Sequence, residues 1–130
     1  AVGGPDTFCS VVSPDGREAA CGGIGSASIC PIDGGACRPI PGFRQGEENV
    51  FQWSPDGRSL FVGAGGAMPL RIDRLDLATG RRELWREFTP EEEAVQNRQL
   101  YYFAMTPDAK SYAYSSFVTA ADLYLVSGLK

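Results

Sequence analysis

The chain contains four cysteines, whose side chains could be free thiols, disulfides or metal ligands: Cys9, Cys21, Cys30 and Cys37. An even number of cysteines can form disulfides or hold a metal ion. Their spacings contain no Cys-x-x-Cys clip for zinc, so a metal site is the least favoured state. The remaining alternatives are buried free thiols and disulfides, with Cys9–Cys21 and Cys30–Cys37 as the candidate pairs.

The expected strand register places Cys9 opposite Cys21. If Ser13 faces Arg17 across the turn at 14–16, the positions of opposed residues sum to 30. The turn sequence at 13–17 recurs 41 residues later and again 52 residues after that. Adding these spacings to Cys9 and Cys21 gives pairs of residues typical of a core, namely Val50 with Val62 and Tyr102 with Tyr114. Because free cysteine often behaves as a small buried apolar residue, we expect buried thiols, with at most one pair bonded.

Three aspartates recur at matched positions and look like a carboxylate series: Asp15, Asp56 and Asp108. Each follows a proline, and Gly16 or Gly57 comes next in the first two copies. Proline and glycine favour tight turns, and aspartate can bond its own backbone there. We therefore interpret these residues as structural turn residues. In the third copy Ala109 replaces the glycine, so that turn either avoids a positive φ or is strained.

The chain contains no histidine, which removes the commonest general base and the commonest metal ligand. It also contains no nucleotide-binding, hydrolase or zinc-protease signature. The sequence therefore predicts no catalytic, cofactor-binding or metal-binding residue, and no enzyme within these residues.

The turns belong to an internal repeat. Residues 13–17 recur as 54–58 and, more loosely, as 106–110, at spacings of 41 and 52 residues. A period near 40 residues with four strands per unit is typical of a β-propeller. The sequence predicts one all-β domain over 1–130, a propeller fragment of three four-stranded antiparallel blades. Their approximate bounds are 7–42, 48–88 and 99–127, and the last blade is incomplete.

Apolar runs between turn residues place the strands. They lie near 8–12, 18–22, 26–32 and 37–40, then 50–53, 58–63, 70–77 and 81–88, then 100–103, 112–117 and 122–126. Strand 81–88 carries Glu83, Arg86 and Glu87, so it is predicted to lie at an edge. Residues 89–98 begin with Thr-Pro-Glu and predict one or two helical turns, either a recognition loop or a solvated connector.

Composition narrows the classes of partner. Hydrophobic residues make up 43% of the chain, which is enough for a core. The net charge is −4 and the basic residues form no continuous patch, which argues against nucleic acid. No apolar run approaches the roughly 18 residues of a membrane helix. Five arginines concentrate in the second blade, where solvated outer strands are favoured over an anion-binding rim: Arg71, Arg74, Arg81, Arg82 and Arg86.

Three stretches carry a family resemblance: residues 53–60 (WSPDGRSL), residues 74–87 (RLDLATGRRELWRE), and 111–115 (SYAYS) followed by 122–130 (DLYLVSGLK). They resemble TolB-like propeller repeats, relatives of the Trp-Asp repeat. Taken together, they resemble the C-terminal propeller of bacterial eukaryotic-like serine/threonine protein kinases. The resemblance implies a non-catalytic sensor or interaction module appended to a kinase, with a protein or peptide as its partner.

The alternative is a propeller that gates or supports a hydrolase, because similar repeats precede the catalytic domain of prolyl-oligopeptidase-like enzymes. The ending at Gly128–Lys130 argues against it. The coding frame upstream of Ala1 discriminates, since a kinase there favours the first interpretation. The compartment stays open between the bacterial cytoplasm and the periplasmic or extracellular face of a membrane-anchored parent.

Three blades do not close a ring by themselves. Each terminal blade is expected to expose a broad apolar face, and faces of that kind usually mark interfaces. We therefore expect the chain to pair with a second copy of itself or to belong to a longer chain.

Overall fold

The computed structural model describes residues 7–23, 26–66, 69–89 and 98–118. These residues form three antiparallel β-sheets of four, four and two strands, and no helix occurs within the described ranges. The all-β class expected from the sequence is confirmed. The helical turns expected between 89 and 98 and the strand expected at 122–126 fall almost wholly or wholly outside the described residues.

Strands follow one another in chain order within each sheet, so every connection inside a sheet is a hairpin. The first sheet contains β1 (Phe8–Val12), β2 (Glu18–Gly22), β3 (Ser28–Pro31) and β4 (Arg38–Pro39). The second contains β5 (Asn49–Trp53), β6 (Ser59–Gly63), β7 (Leu70–Asp76) and β8 (Arg82–Phe88). The third contains β9 (Arg98–Met105) and β10 (Tyr112–Val118).

The prolines shorten two strands of the first sheet. Pro31 ends β3, and Pro39 occupies half of the two-residue β4, which lies at the sheet edge. Proline has no N–H to donate to a ladder and is therefore confined to strand ends and edges. The strands expected at 26–32 and 37–40 are present but correspondingly shorter.

The second sheet is the centre of the packing. Every residue of β6 is buried, as its continuous apolar run predicts. β8 lies at the edge of this sheet, and its charged residues Glu83, Arg86 and Glu87 are exposed, as expected for an edge strand.

One face of the second sheet packs against the first sheet. Trp53, Leu60, Val62 and Leu75 form this face, and all four are nearly or completely buried. Ala27 and Ile29 of the first sheet and Ile40 of the following linker complete the cluster. The indole Nε1 of Trp53 also donates a hydrogen bond to the backbone oxygen of Val11, at 3.3 Å.

The opposite face of the second sheet packs against the third. This cluster contains Phe61, Leu70, Ile72 and Phe88 from the second sheet and Phe103 and Met105 from β9. Aromatic contacts join the two sheets, with ring centroids 5.4 Å apart for Phe88 and Phe103 and 4.5 Å apart for Phe88 and Tyr112. Such contacts stabilise beyond the area they bury.

The outer face of the first sheet is lined mainly by small and disulfide-bonded residues. Val11 packs against the core and pairs with Ala20, so alternation along β2 places Ala19 and Cys21 on the other face. Both are buried, in one cluster with Cys30. Val12 lies opposite Ala19 on this face; its side chain is larger than that of the alanine, and the residue is 53% exposed.

Two small residues lie on the outer face of the third sheet. Phe103 packs against the second sheet, so its neighbour Ala104 and the paired Ala113 lie on the outer side. At the first sheet, the broad apolar face expected from the sequence is not found among the described residues. Self-association stays a prediction.

The linker between the first two sheets is fastened by one buried ion pair. Glu48 is 3% exposed and accepts hydrogen bonds from the Arg44 backbone N–H at 2.7 Å and from both terminal nitrogens of Arg82. The Arg82 Nη2 also donates to the backbone oxygen of Gly42 at 2.7 Å. The carboxylates of Glu48 and Asp73 raise the pKa of Arg82 above its ordinary value, mainly through the bond to Glu48.

The linker between the first two sheets also contacts the second sheet through two glycines. A Cβ atom on Gly42 would lie 2.6 Å from the backbone oxygen of Gly80, in the turn between β7 and β8. Both glycines have a φ of 72°. Only glycine fits this crossing easily, because it combines a left-handed backbone with a very close approach.

Replacing Arg82 with Met should leave the Glu48 carboxylate buried without its cation. Breaking a buried pair in this way costs about 3 kcal/mol, and we expect the free energy of unfolding to fall by that amount. Chemical denaturation measures it.

The matched control is Arg81→Met, because Arg81 is exposed and forms no ion pair among the described residues. A second change, Glu48→Gln in the Arg82→Met background, should restore part of the loss. Equal midpoints for Arg82→Met and Arg81→Met would contradict the role assigned to the pair.

Candidate functional site

The three predicted turns share one hydrogen-bond pattern. In the first, the Ser13 hydroxyl donates to Asp15 Oδ1 at 2.6 Å, and the backbone N–H of Arg17 donates to the same oxygen at 3.0 Å. Ser13 Oγ accepts a bond from the Glu18 N–H at 3.0 Å, and the Gly16 N–H donates to the Ser13 carbonyl at 2.9 Å. The hydroxyl and the carboxylate thus close the loop together.

The second and third turns repeat this pattern. The hydroxyl-to-carboxylate distance is 2.6 Å from Ser54 to Asp56 and 2.5 Å from Thr106 to Asp108. The backbone N–H two residues after the aspartate donates to its Oδ1 at 3.0 Å in both turns. The aspartates are therefore acceptors within turns, which is the structural role expected from the sequence.

These bonds also set the charge state of the three carboxyl groups. The pKa of Asp15, Asp56 and Asp108 is lowered, first by the hydroxyl bond and next by the backbone N–H bond. A group whose pKa is lowered holds no proton to donate near neutral pH. This matches turn-stabilising carboxylates rather than a general acid.

The assumed turn register is wrong by one residue. The backbone N–H of Ser13 donates to the carbonyl oxygen of Glu18 at 2.8 Å, so Ser13 faces Glu18 rather than Arg17 and the loop encloses one more residue than assumed. A β-bulge between Cys9 and Val11 then shifts the register back. Cys9 therefore does lie opposite Cys21, although for a different reason.

The second sheet has a bulge at the equivalent position, whereas the bulge of the third sheet lies at a different position. The shift between Val50 and Gln52 brings Val50 opposite Val62, as expected. In the third sheet the shift lies between Ser115 and Ser116, farther from the turn. Tyr102 therefore pairs with Ser115, and the expected pairing of Tyr102 with Tyr114 is wrong.

The cysteines form two disulfides, so the expectation of buried free thiols is wrong. The sulfurs are 2.00 Å apart in Cys9–Cys21 and 2.06 Å apart in Cys30–Cys37. Cys9 and Cys21 do occupy the positions equivalent to Val50 and Val62. A position of this kind is compatible with two free thiols and also with a disulfide. Direct cross-strand pairing already brings two cysteines within bonding range.

Each disulfide joins one buried sulfur to one exposed residue. Cys21 and Cys30 are 2% and 1% exposed, whereas Cys9 and Cys37 are exposed residues. The two buried cysteines lie in one cluster with Ala19. The disulfides thus occupy the outer face of the first sheet. The equivalent face of the second sheet carries Val50, Val62 and Leu60 instead.

A polar hollow lies at the turn end of the second sheet. Its volume is about 700 Å³. It lies between the turn at 54–58 and the turn at 77–81, and the two turns are joined by a hydrogen bond from the Leu77 N–H to the Arg58 oxygen at 3.0 Å. Four arginines and three acidic residues line it: Arg58, Arg74, Arg81, Arg82, Asp56, Asp76 and Glu83.

Most arginines of the second sheet are already engaged. Arg74 lies 3.3 Å from Asp56, and Arg71 lies 3.3 Å from Asp73. Arg86 stacks its guanidinium 4.8 Å from the ring centre of Trp85, and Arg82 holds Glu48 as described above. Within the described residues, no ion pair joins Arg58 or Arg81 to an acid.

The near balance of charge around the hollow does not suit an isolated anion. The exposed cations Arg58 and Arg81 stand beside Glu83, which is also exposed. Asp76, in the same rim, is held by its own turn, since Oδ1 accepts from the Ala78 N–H at 2.9 Å and the Thr79 N–H at 2.8 Å. The arrangement offers mixed charges and hydroxyls to a ligand, and no reactive pair.

The described ranges hold no cluster of three or more cysteine, aspartate or glutamate side chains that could bind a metal ion. Over the same ranges there is no helix with the length and apolar character needed to cross a membrane. Neither a protein-family model nor a curated protein sequence matches the chain.

The sequence carries no signal for the ion pair of Arg82 with Glu48. The two residues are 34 positions apart, and Glu48 lies outside the repeated turns and outside the stretches that carry the family resemblance. Glu48 directly precedes β5, which is the only local feature that sets it apart from other exposed-type residues.

The third turn carries a strained alanine. Ala109 has a φ of 56°, where Gly16 and Gly57 have 71° in the equivalent positions. The turn therefore keeps the left-handed conformation and accepts the steric cost of a Cβ atom.

Exchanging alanine and glycine at these positions should have opposite effects. Ala109→Gly relieves the left-handed strain and should stabilise the chain, and Gly57→Ala introduces it, each by about 1 kcal/mol. A Cβ at Gly57 meets its nearest neighbour, Pro14, at an ordinary 3.7 Å, so strain rather than a clash decides the effect. Urea denaturation should move the two midpoints in opposite directions. A shift of both in the same direction would contradict this explanation.

Stability should fall with acid through the turn carboxylates. Their pKa is lowered from 3.8 in the folded chain, so their contribution is complete above that value and is lost as pH falls through the folded pKa. Unfolding midpoints between about pH 5 and about pH 2 should therefore decline. Asp56→Asn should flatten that decline, because it removes one of the three carboxyl groups with a lowered pKa. An unchanged slope in Asp56→Asn would refute the assignment.

Proposed function

We propose that these residues form part of a β-propeller that binds a protein or peptide partner and performs no chemistry itself. The observation that carries this proposal is the threefold recurrence of one turn, with the same donors and acceptors. Each copy connects the first two strands of an antiparallel sheet, and successive sheets pack face to face in chain order. Radial repetition of hairpin-connected sheets is the organisation of a propeller.

Equivalent positions in successive sheets support this proposal. Trp53 of β5 and Met105 of β9 are 52 residues apart, and each is buried against the preceding sheet. Leu60 and Tyr112 stand opposite them and face the same way. A repeat that keeps both its turn and its inward-facing positions is built from one structural unit.

The polar hollow is the binding surface that we favour. It is open, bounded by two hydrogen-bonded turns and lined by opposite charges, with Arg58 and Arg81 exposed. Polypeptide surfaces carry both signs of charge together with amide groups, so such a rim complements them better than it complements a lone phosphate or a metal ion. The chain therefore acts by recognition.

The kinase connection rests on the resemblance of residues 53–60, 74–87, 111–115 and 122–130 to kinase-appended propellers. In that setting the module would report a bound partner to the kinase. The coding frame tests it: a kinase domain should precede Ala1 in the same frame, and a hydrolase domain following Lys130 would overturn it in favour of the alternative.

The two disulfides bear on the compartment. Such bonds form and persist in the periplasm or outside the cell and are rare in the cytosol. We therefore propose that this module faces an oxidising compartment, which separates the two locations left open by the sequence. Protein taken from its own cells into an alkylating denaturant without reductant should show no free thiol. Four alkylated cysteines would place the module in a reducing compartment.

Binding at the hollow can be tested with a displayed library of random peptides. Peptides selected on the folded chain should lose about tenfold in affinity, or about 1.4 kcal/mol, when Arg58 and Arg81 are both changed to Glu. The matched control changes Arg17 and Arg44 to Glu, which alters the net charge equally but lies outside the hollow. Equal losses in the two variants would indicate non-specific charge attraction and overturn the hollow as the site.

A further inference from the structure

The last strand of the first sheet is held by few non-covalent contacts. β4 contains only Arg38 and Pro39, and it meets β3 through two residue pairs. Pro39 has no N–H to contribute to this ladder. Arg38 also forms an ion pair with Glu18 at 2.9 Å, but the two side chains are 50% and 33% exposed. Exposed pairs of this kind contribute little to stability.

The Cys30–Cys37 disulfide supplies the firm attachment of this strand. Cys30 lies on β3 and is 1% exposed, so its side chain is fixed in the sheet. Cys37 directly precedes β4 and is exposed. The bond therefore ties an otherwise weakly held strand to a rigid one.

Residues after β4 have their own anchors. Ile40 follows Pro39 directly, is 4% exposed and belongs to the cluster between the first and second sheets. From Gly42 onward the linker is fastened to the second sheet through Arg82 and Glu48. A release of β4 would thus free the chain between Cys30 and Ile40 while both ends stay anchored.

The other disulfide has a different setting. Cys9–Cys21 joins β1 and β2, which share four paired positions and the hydrogen-bonded turn at 13–18. Those strands stay paired without the bond, because the turn already brings them together. Loss of Cys9–Cys21 should therefore change stability without releasing a strand.

We propose that Cys30–Cys37 is a reducible latch whose opening releases residues 32–39 from the edge of β3 while the rest of the fold persists. The reductant is a dithiol. One of its thiolates attacks the Sγ of Cys37, which belongs to the exposed residue of the pair, and the Cys30 sulfur leaves and takes up a proton. The second thiol of the reductant then attacks the mixed disulfide and releases Cys37 as a thiol. The reductant is oxidised to a disulfide by two electrons, and the protein gains two thiols.

Release uncovers a sheet edge. β3 pairs with β2 on one side and β4 on the other, so without β4 the backbone of Ser28 and Ile29 loses its outer partner. An uncovered edge is a template for an added strand. The latch is a property of the first sheet and holds whether or not the polar hollow binds a partner.

Amide hydrogen exchange followed by mass spectrometry tests the latch. In Cys30→Ser/Cys37→Ser, segments covering residues 26–31 and 36–41 should exchange about tenfold faster or more, with unchanged protection over β5 to β7. The matched control is Cys9→Ser/Cys21→Ser, in which those segments should keep their protection. Dithiothreitol added to this control cleaves only Cys30–Cys37 and should reproduce the fast exchange.

Three results would overturn the proposal. They are unchanged protection in residues 26–31 and 36–41 after loss of Cys30–Cys37, equal acceleration across β5 to β7, and a Cys30→Ser/Cys37→Ser chain that does not fold. The first would show that the backbone ladder alone holds β4. The other two would show that the bond supports the whole fold rather than one strand.

Discussion

Burial of the second sheet on both faces is the constraint on which the rest of the structure depends. Leu60 and Val62 of β6 face the first sheet, while Phe61 between them faces the third. Each of the three is 2% exposed or less. At about 25 cal/mol per Å² of apolar surface, neither face could be left in water without a loss comparable to the stability of a small domain. The sheets on either side are therefore required by the composition of one five-residue strand.

The repeated turn makes this stacking regular. A hydroxyl and a carboxylate two residues apart satisfy the backbone donors of the loop, so each hairpin starts with the same geometry. The inward-facing residues then recur at fixed offsets, as Trp53 and Met105 do. The same bonds lower the pKa of the three aspartates and commit them to structure. The surface that we propose for recognition lies between two turns, where Arg58 and Arg81 are exposed.

Strand positions could be predicted because turn residues and apolar runs are local signals. All eight strands of the first two sheets lie within two residues of their expected bounds, and the largest difference, two residues, is at the start of β3. Cysteine pairing could not be predicted, since Cys21 and Val62 occupy equivalent buried positions and only the chemistry of the partner separates them. The pair of Arg82 with Glu48 was equally hidden, because a contact over 34 residues between charged side chains leaves no periodic trace.

The most direct measurement of the central claim is a nuclear Overhauser experiment on the labelled chain in solution. Face-to-face stacking predicts contacts from the Trp53 indole proton to Val11 on one side of the second sheet. On the other side it predicts contacts between the rings of Phe51 and Phe103, whose centroids are 5.1 Å apart. Both sets of contacts in one sample would confirm that the second sheet lies between the other two. Hairpin contacts within each sheet, without either set between sheets, would contradict the account.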